Sequence, residues 1–377
     1  MKKGYYLISL SAKDEVALKS FGVMKKVLAQ IKVLNLMFET KLDVKNVYNP
    51  KPLSVWDKLK IRLPFFPVEK PWFYKKEYDK ADFLYVRRPN IDCSLVQLFK
   101  KVKRRNPQCK IIFEIPTYPY IPEILRNGLM KELPFILKDY INHNLMRGYV
   151  DLITTYSPDT EIWGIKAMPI KNGVDFSSIK MPKRRLSGKT IEVIEVSRAN
   201  FWHGYDRFLI GMGEYYKNGG NRNIIFHMVG DGMTVPQYHQ LVKEYHLENH
   251  VIIYGDRSGE ELEQIYEHAF IGLDGLARHR SGNFTNSSLK SREYAAMGIP
   301  FISSVDIDFA EETWPYVMHI TQDETPVDMN EVIAFFDGIY SNKDCNEIAN
   351  EIRNYAKSRC DMSVVMQPVL DYINSEF

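Results

Sequence analysis

The sequence predicts an α/β protein built from two domains, each a parallel sheet covered by helices. Three observations carry that prediction. The chain has 377 residues, two to three times a usual domain length, so two full-sized cores are expected. Short apolar runs recur at residues 83–86, 110–115, 152–156, 191–196, 224–229, 251–254, 270–273 and 300–303, bounded by charges or glycine, as in strands buried on both faces. Helix-length stretches separate most of them; within residues 260–268, Leu262, Ile265 and Tyr266 form one apolar stripe. Alternation of this kind implies parallel sheets.

Taken in order, Met1-Lys2-Lys3-Gly4 followed by Tyr5-Tyr6-Leu7-Ile8-Ser9-Leu10 is basic and then apolar. Lys13, Asp14 and Glu15 follow at once without a small-residue cleavage site, so this segment reads as a first buried strand rather than a signal peptide. No uncharged apolar run approaches the ~18–20 residues that cross a bilayer, so any membrane contact is expected to be peripheral. Cys93, Cys109, Cys345 and Cys360 form no C-x-x-C pair and no cluster with histidines; they read as reduced thiols of a cytosolic protein. After Lys171-Asn172-Gly173-Val174-Asp175 comes a polar, basic stretch with Pro182 and Gly188. The expected domains are therefore 1–172 and 190–357, joined by a linker at 173–189.

Hydrophobic residues make up 45% of the chain and charged residues 26%, which excludes a largely disordered or fibrous protein. Net charge is +3, but this average conceals two opposite halves. Residues 1–180 hold 32 Lys and Arg against 18 Asp and Glu, and residues 181–377 hold 18 against 29. Either the first half meets an anionic surface or ligand, or the halves attract each other across a cleft.

Three constellations carry chemistry. Ser287-Ser288-Leu289-Lys290 through Glu293 to Gly298-Ile299-Pro300 reads as a serine-capped helix closed by glycine and proline. Its free backbone N–H groups suit phosphate oxygens, and Glu293 could accept hydrogen bonds from neutral hydroxyls. A plain capped core helix would look similar. Ser197-Arg198-Ala199-Asn200-Phe201-Trp202-His203-Gly204 follows the strand at 191–196 and places Arg198 at a strand end, where a guanidinium can grip a diphosphate. Val229-Gly230-Asp231-Gly232 ends the next strand, its glycines allowing close backbone approach to a ligand.

Together these residues resemble family 4 glycosyltransferases: Arg198, the helix-opening His203-Gly204, Val229 to Gly232, and Glu293 with Gly298 and Pro300 in that order and spacing. Asn172-Gly173-Val174-Asp175 looks like the segment joining the two domains in that family. The likeness covers most of residues 150–305, and the first half matches only loosely. It implies a GT-B architecture of two Rossmann-like domains facing across a cleft, with a helix at about 358–377 packing back onto the first domain. The resemblance implies a nucleotide-sugar donor, UDP-linked, held mainly by the second domain, and retention at the anomeric carbon. Arg198 and the residue at 203 would contact the donor diphosphate, Glu293 the ribose hydroxyls, and Gly22 the phosphates from the other side. Gly230, Asp231, Gly232, Asn286, Ser287, Ser288 and Leu289 complete the expected donor site.

Two departures stand out. The family has lysine where this chain has His203, and a neighbouring diphosphate would be expected to keep that imidazole charged; a histidine merely capping a turn is the alternative. The family places a carboxylate eight residues before Glu293, where this chain has Thr285. Asp274 is the nearest upstream substitute, and Arg280 is expected to compensate by reaching the donor phosphates. Asp306-Ile307-Asp308 has the form of a metal-holding acidic triplet, but a solvated turn is the preferred reading and no metal cofactor is expected. Leaving-group charge would be met by Arg198, His203 and helix N–H groups.

In the first half, Phe113-Glu114-Ile115-Pro116-Thr117-Tyr118-Pro119-Tyr120 ends a strand and enters a stiff aromatic loop. Glu114, Thr117, Tyr118 and Tyr120 are acceptor-site candidates, with Glu114 a base if the reaction inverts. Alternatively Glu114 pairs with a structural cation such as Arg87 or Arg88. Residues 55–76 interleave basic and aromatic side chains, and residues 100–105 add five cations. Such a segment suits a membrane headgroup interface; a solvated surface is the plainer alternative, and nucleic acid is not expected. The chain is thus expected to be a cytoplasmic glycosyltransferase, peripheral on the inner face of the plasma membrane. Its acceptor would be a saccharide or lipid-linked saccharide of surface polysaccharide or glycoconjugate synthesis. The alternative is a catalytically silent sugar-nucleotide or glycan binding protein of the same fold.

Overall fold

The computed structural model describes residues 1–13, 22–50, 53–88, 91–121, 124, 129–184, 189–282, 285–341 and 343–376. The chain divides into two units, one formed by Met1–Lys171 with Val365–Phe377 and the other by Asn172–Val364.

The first unit contains β1 (Lys3–Leu10), α1 (Gly22–Leu34), β2 (Glu39–Asn46), α2 (Val55–Lys60), β3 (Phe83–Arg87) and α3 (Cys93–Arg105). It continues with β4 (Lys110–Ile115), α4 (Leu129–Met146), β5 (Leu152–Thr155), β6 (Glu161–Ile162) and β7 (Ile165–Pro169). The sheet runs β2-β1-β3-β4-β5-β7-β6, parallel except for the last pair. Every residue of β4 is buried, as a central parallel strand covered on both faces requires. α3 forms because Asp92 caps it, accepting from Ser94 N–H at 2.9 Å, while Lys103, Arg104 and Arg105 occupy its negative end. Strand β2, whose alternation is weak, is absent from the apolar runs read in sequence.

The second unit contains β8 (Ile191–Val196), α5 (Tyr205–Lys217), β9 (Ile224–Val229), α6 (Val235–Glu244), β10 (Val251–Gly255) and α7 (Gly259–Tyr266). There follow β11 (Ile271–Leu273), β12 (Thr285–Asn286), α8 (Leu289–Ala296), β13 (Phe301–Ser303), β14 (Asp306–Ile307), β15 (Val317–His319), α9 (Met329–Tyr340) and α10 (Cys345–Cys360). Its main sheet is parallel, in the order β10-β9-β8-β11-β13-β15. Strand order reverses at β8, which lies between β9 and β11. A crevice outside the carboxyl ends of β8 and β11 is therefore where this topology receives a ligand.

The expected linker is not a free connection. Val174 and Phe176 are buried in the second core, and Arg353 donates to Phe176 O at 2.5 Å. The return to the first unit starts at Val365 rather than near residue 358. There α11 (Gln367–Asn374) is fixed by Lys110, whose Nζ donates to Tyr372 O at 2.7 Å and Ser375 O at 2.6 Å.

Candidate functional site

The switch point of the second unit collects most of the residues predicted for a donor site. After β8 the backbone continues beside the β9 loop, Ser197 N–H bonding Val229 O at 3.0 Å and Ala199 N–H bonding Asp231 O at 2.8 Å. Gly230 makes this possible: its φ is +124°, and a Cβ there would lie 1.9 Å from Ser197 O. Asp231 caps its own loop, its carboxylate accepting from Gly232 N–H at 2.7 Å. On the other side, Leu276 N–H bonds His203 O at 2.7 Å, which ties the loop after β8 to the loop after β11. Arg198 is exposed, and among the described residues its guanidinium has no hydrogen bond or ion pair.

His203 closes a short 3-10 turn, Phe201–His203, where its Nδ1 accepts from Asn200 N–H at 3.3 Å. An accepting Nδ1 carries no proton. Burial, then the neighbouring cations Lys290 and Arg278, push the imidazole pKa down to about 2. Without an anion beside it the ring thus favours its neutral form, and the expected charge at 203 is one that a bound diphosphate would have to induce.

The α8 N-terminus faces the same crevice. Ser288 caps it, its Oγ accepting from Lys290 N–H at 3.1 Å and donating to Asp274 Oδ1 at 2.7 Å. Asp274 is fully buried, and its Oδ2 has no hydrogen-bond partner among the described residues. Leu289 and Glu293 are half-buried, one turn apart. Burial and then the Glu293 charge raise the Tyr266 hydroxyl pKa, which places that carboxylate near Tyr266. Thr285 and Asn286 form β12, paired with Asp306 and Ile307; their side chains lie outside the described residues, as does Asn283-Phe284.

Lys290 was not among the predicted residues. Its Nζ donates to Tyr205 Oη at 2.7 Å and Asp274 O at 3.3 Å, and lies 4.0 Å from the Asp274 carboxylate. The ammonium therefore sits between the start of α5, the end of β11 and the first turn of α8. Burial lowers its pKa, while the same burial raises the carboxyl of nearby Glu195, which accepts from Ser197 Oγ at 2.8 Å. A sequence signal existed: a cation in the first turn opposes the helix dipole and calls for a local reason.

Several candidates prove to be structural. Arg280 makes a two-pronged pair with Asp206, at 2.9 and 2.7 Å, and a second with Glu324, at 2.9 Å from Nε. Its donors are engaged with Asp206, Glu324 and Phe201 O, so a phosphate role would require it to exchange these partners. Ser287 Oγ donates to Asp308 at 2.7 Å and accepts from Asn172 N–H at 3.1 Å. Fully buried Arg292 pairs with Asp308 at 2.5 and 2.6 Å and donates to Asn172 O at 2.6 Å. The acidic triplet accordingly runs from the end of β14 into an exposed turn, as expected, with Asp308 held by the ion pair to Arg292.

In the first unit Glu114 is completely buried. It pairs with Arg87, accepts from Tyr85 Oη at 2.7 Å, Gln30 Nε2 at 2.9 Å and Tyr156 Oη at 2.9 Å, and lies 3.9 Å from Lys26 Nζ. Burial alone would raise its pKa; Arg87, then Lys26 and the hydrogen bonds, outweigh that and hold it at about 2. So weak a base, without solvent contact, is a poor proton acceptor, and the pairing alternative is the one observed. Tyr120 is also buried, its hydroxyl donating to Asp139 and its ring covered by Arg88 at 3.8 Å. Of the acceptor candidates Thr117 is exposed and Tyr118 half-buried. Gly22 opens α1. Within residues 55–76, Trp56 and Phe65 are 73% and 78% exposed, whereas Trp72 is buried under Lys45 at 4.3 Å.

No protein-family model matches the chain, and no curated protein matches it. Solved structures do. The chain is similar to Anabaena Alr3699/HepE crystallised with UDP and glucose, with a TM-score of 0.58 at 13% identity over 100% of both chains. A glycosyltransferase from Rickettsia africae ESF-5 gives 0.63 at 13% identity over 99% of each chain. Sucrose-phosphate synthase from Thermosynechococcus elongatus gives 0.60 at 12% identity over 99% of each. What is shared at this identity is the fold: two Rossmann-like units in the GT-B arrangement of chain and sheets found in these glycosyltransferases.

Proposed function

We propose that the chain is a glycosyltransferase that takes a sugar from a nucleotide donor, UDP-linked, and transfers it to a saccharide or lipid-linked saccharide in surface polysaccharide or glycoconjugate synthesis. The observation that carries this reading is the exposed Arg198 at the switch point of the second unit, without a guanidinium partner among the described residues, in the same unit as the Ser288-capped α8 N-terminus. The UDP bound in the HepE structure supports the choice of nucleotide. In the reaction the bond from the anomeric carbon to the diphosphate oxygen breaks, the diphosphate leaves with the electron pair, and the acceptor hydroxyl bonds to that carbon and gives up its proton to the departing diphosphate oxygen. Arg198 grips the departing diphosphate, Lys290 supplies the second cation that neutral His203 does not, and the N–H groups at Ser288 and Leu289 complete the anion site. Glu293 accepts from the ribose hydroxyls, and Gly230 lets the backbone approach them. We assign charge neutralisation to these groups rather than to a metal, and retention at the anomeric carbon follows the family resemblance.

The test is a thermal-shift and calorimetric panel of nucleoside diphosphates and nucleotide sugars. A ligand at ~100 times its Kd should stabilise the protein by about 2.7 kcal/mol. Arg198→Ala should abolish that response, Glu293→Gln and Lys290→Met should weaken it about tenfold, and His203→Ala should change it least. No response to any nucleotide would end the reading. Thr285, standing where a carboxylate is expected, favours a second reading: tight donor binding without turnover over a broad acceptor panel would identify a silent binding protein.

A further inference from the structure

Helix α4 is built inside out. The residues it turns into the first unit are Lys138, Asn142, His143 and Met146, three of them polar. Leu129, Leu133, Leu137, Ile141 and Leu145, spaced four apart, are all exposed. At ~100° and ~1.5 Å per residue they wind along one side of the helix for about 24 Å. A surface helix that packs its apolar stripe on a core shows the opposite arrangement. Specific bonds hold the inversion in place. Lys138 Nζ donates to Ile61 O at 2.6 Å, Asn142 Nδ2 to Pro64 O at 3.4 Å, and His143 stacks on Trp163 with centroids 4.5 Å apart. Burial lowers the Lys138 pKa, so the fold bears the cost of desolvating an ammonium while leaving a row of leucines in water.

The bonds to Ile61 and Pro64 also bring the segment after α2 against α4. None of the six residues of α2 is buried, and Trp56, Leu59, Leu63 and Phe65 extend the exposed apolar surface. Exposed apolar side chains in this number on two adjoining segments mark an interaction site. Charge selects the partner: residues 53–76 and 129–147 hold nine Lys and Arg against four Asp and Glu. A second copy of the chain would set like charge against like charge, and aliphatic side chains offer no stacking surface to nucleic acid. Lys131, Glu132, Lys138 and Asp139 interrupt α4, and among the described residues no helix is long and apolar enough to cross a bilayer.

We propose that α4 and α2 form a docking face that lies in the headgroup plane of an anionic membrane, with the leucines and Trp56 at the acyl boundary and the surrounding lysines on lipid phosphates. This makes α4, rather than segment 55–76 alone, the main embedding element; it deepens the reading of a lipid-linked acceptor and rests on it.

The test is co-sedimentation of the full chain with vesicles of phosphatidylcholine alone and of phosphatidylcholine mixed with phosphatidylglycerol, with melting and UDP binding measured in parallel. Wild type should sediment with the mixed vesicles and about tenfold less with the zwitterionic ones. Leu133→Glu/Leu137→Glu should lose about tenfold or more of the mixed-vesicle binding while melting and binding UDP as wild type does. Trp56→Ser, on the separate element, should shift binding in the same direction, so an early-melting double variant still leaves a decisive measurement. Wild type remaining in the supernatant with mixed vesicles overturns the proposal. So does a wild-type dimer that the double variant splits, since a second copy would then be the occupant. Vesicle docking by a chain that binds no nucleoside diphosphate supports the face and overturns the functional reading.

Discussion

Replacing Glu114 by glutamine separates a structural ion cluster from a catalytic base. The substitution keeps the shape but removes the charge opposite Arg87, whose side chain is only 11% exposed, and Lys26, which is 4% exposed. Breaking a buried pair by neutralising one partner costs about 3–5 kcal/mol. The carboxyl's own titration gives a second figure: held at about 2 in the fold against ~4.3 when unfolded, it contributes about 3 kcal/mol at neutral pH. Because the folded pKa is the lower one, that contribution is complete above about pH 5 and lost as pH falls toward 2. Urea unfolding at neutral pH should show a lower midpoint with an unchanged slope, and hydrogen exchange over β3, β4 and β5 should locate the loss in the first unit. Acid titration of the variant should lack the wild-type loss of stability between about pH 5 and 2. A Glu114→Gln protein as stable as wild type but without turnover would refute this reasoning and restore Glu114 as the base.

Gly230→Ala should destabilise the second unit by about 2 kcal/mol or more, because φ is +124° and the new Cβ meets Ser197 O at 1.9 Å; an unchanged melting temperature would contradict the packing of these two loops. Arg280→Ala should cost about 1–2 kcal/mol through loss of Asp206 and Glu324 while leaving donor KM unchanged; a raised KM at unchanged stability would return Arg280 to the phosphate site. The His203 ring should stay neutral in the free protein throughout the neutral range, so an NMR titration midpoint near 6.5 would overturn its assignment.

The sequence by itself was sufficient for the repeating units. Apolar runs mark β3, β4, β5, β8, β9, β10, β11 and β13 because a strand covered on both faces is apolar along its length, whereas the short edge strand β15 was not among them. Ser288 and the glycines at 230 and 232 are legible because capping and left-handed backbone are local requirements. Arg198 is legible because a strand end fixes its neighbourhood whatever lies further away.

What the tertiary structure alone decided is which charges are satisfied. Glu114 reads as a base or a paired group until Lys26, Gln30, Arg87 and Tyr156 arrive from other elements. Burial and Lys290, far along the chain, lower the His203 pKa, and Arg280 meets Asp206 and Glu324 from distant segments. The face that α4 turns outward depends equally on Ile61, Pro64 and Trp163. Periodicity and capping are set by residues within a few positions, whereas desolvation and Coulomb interaction depend on distance through space, which only the folded chain defines.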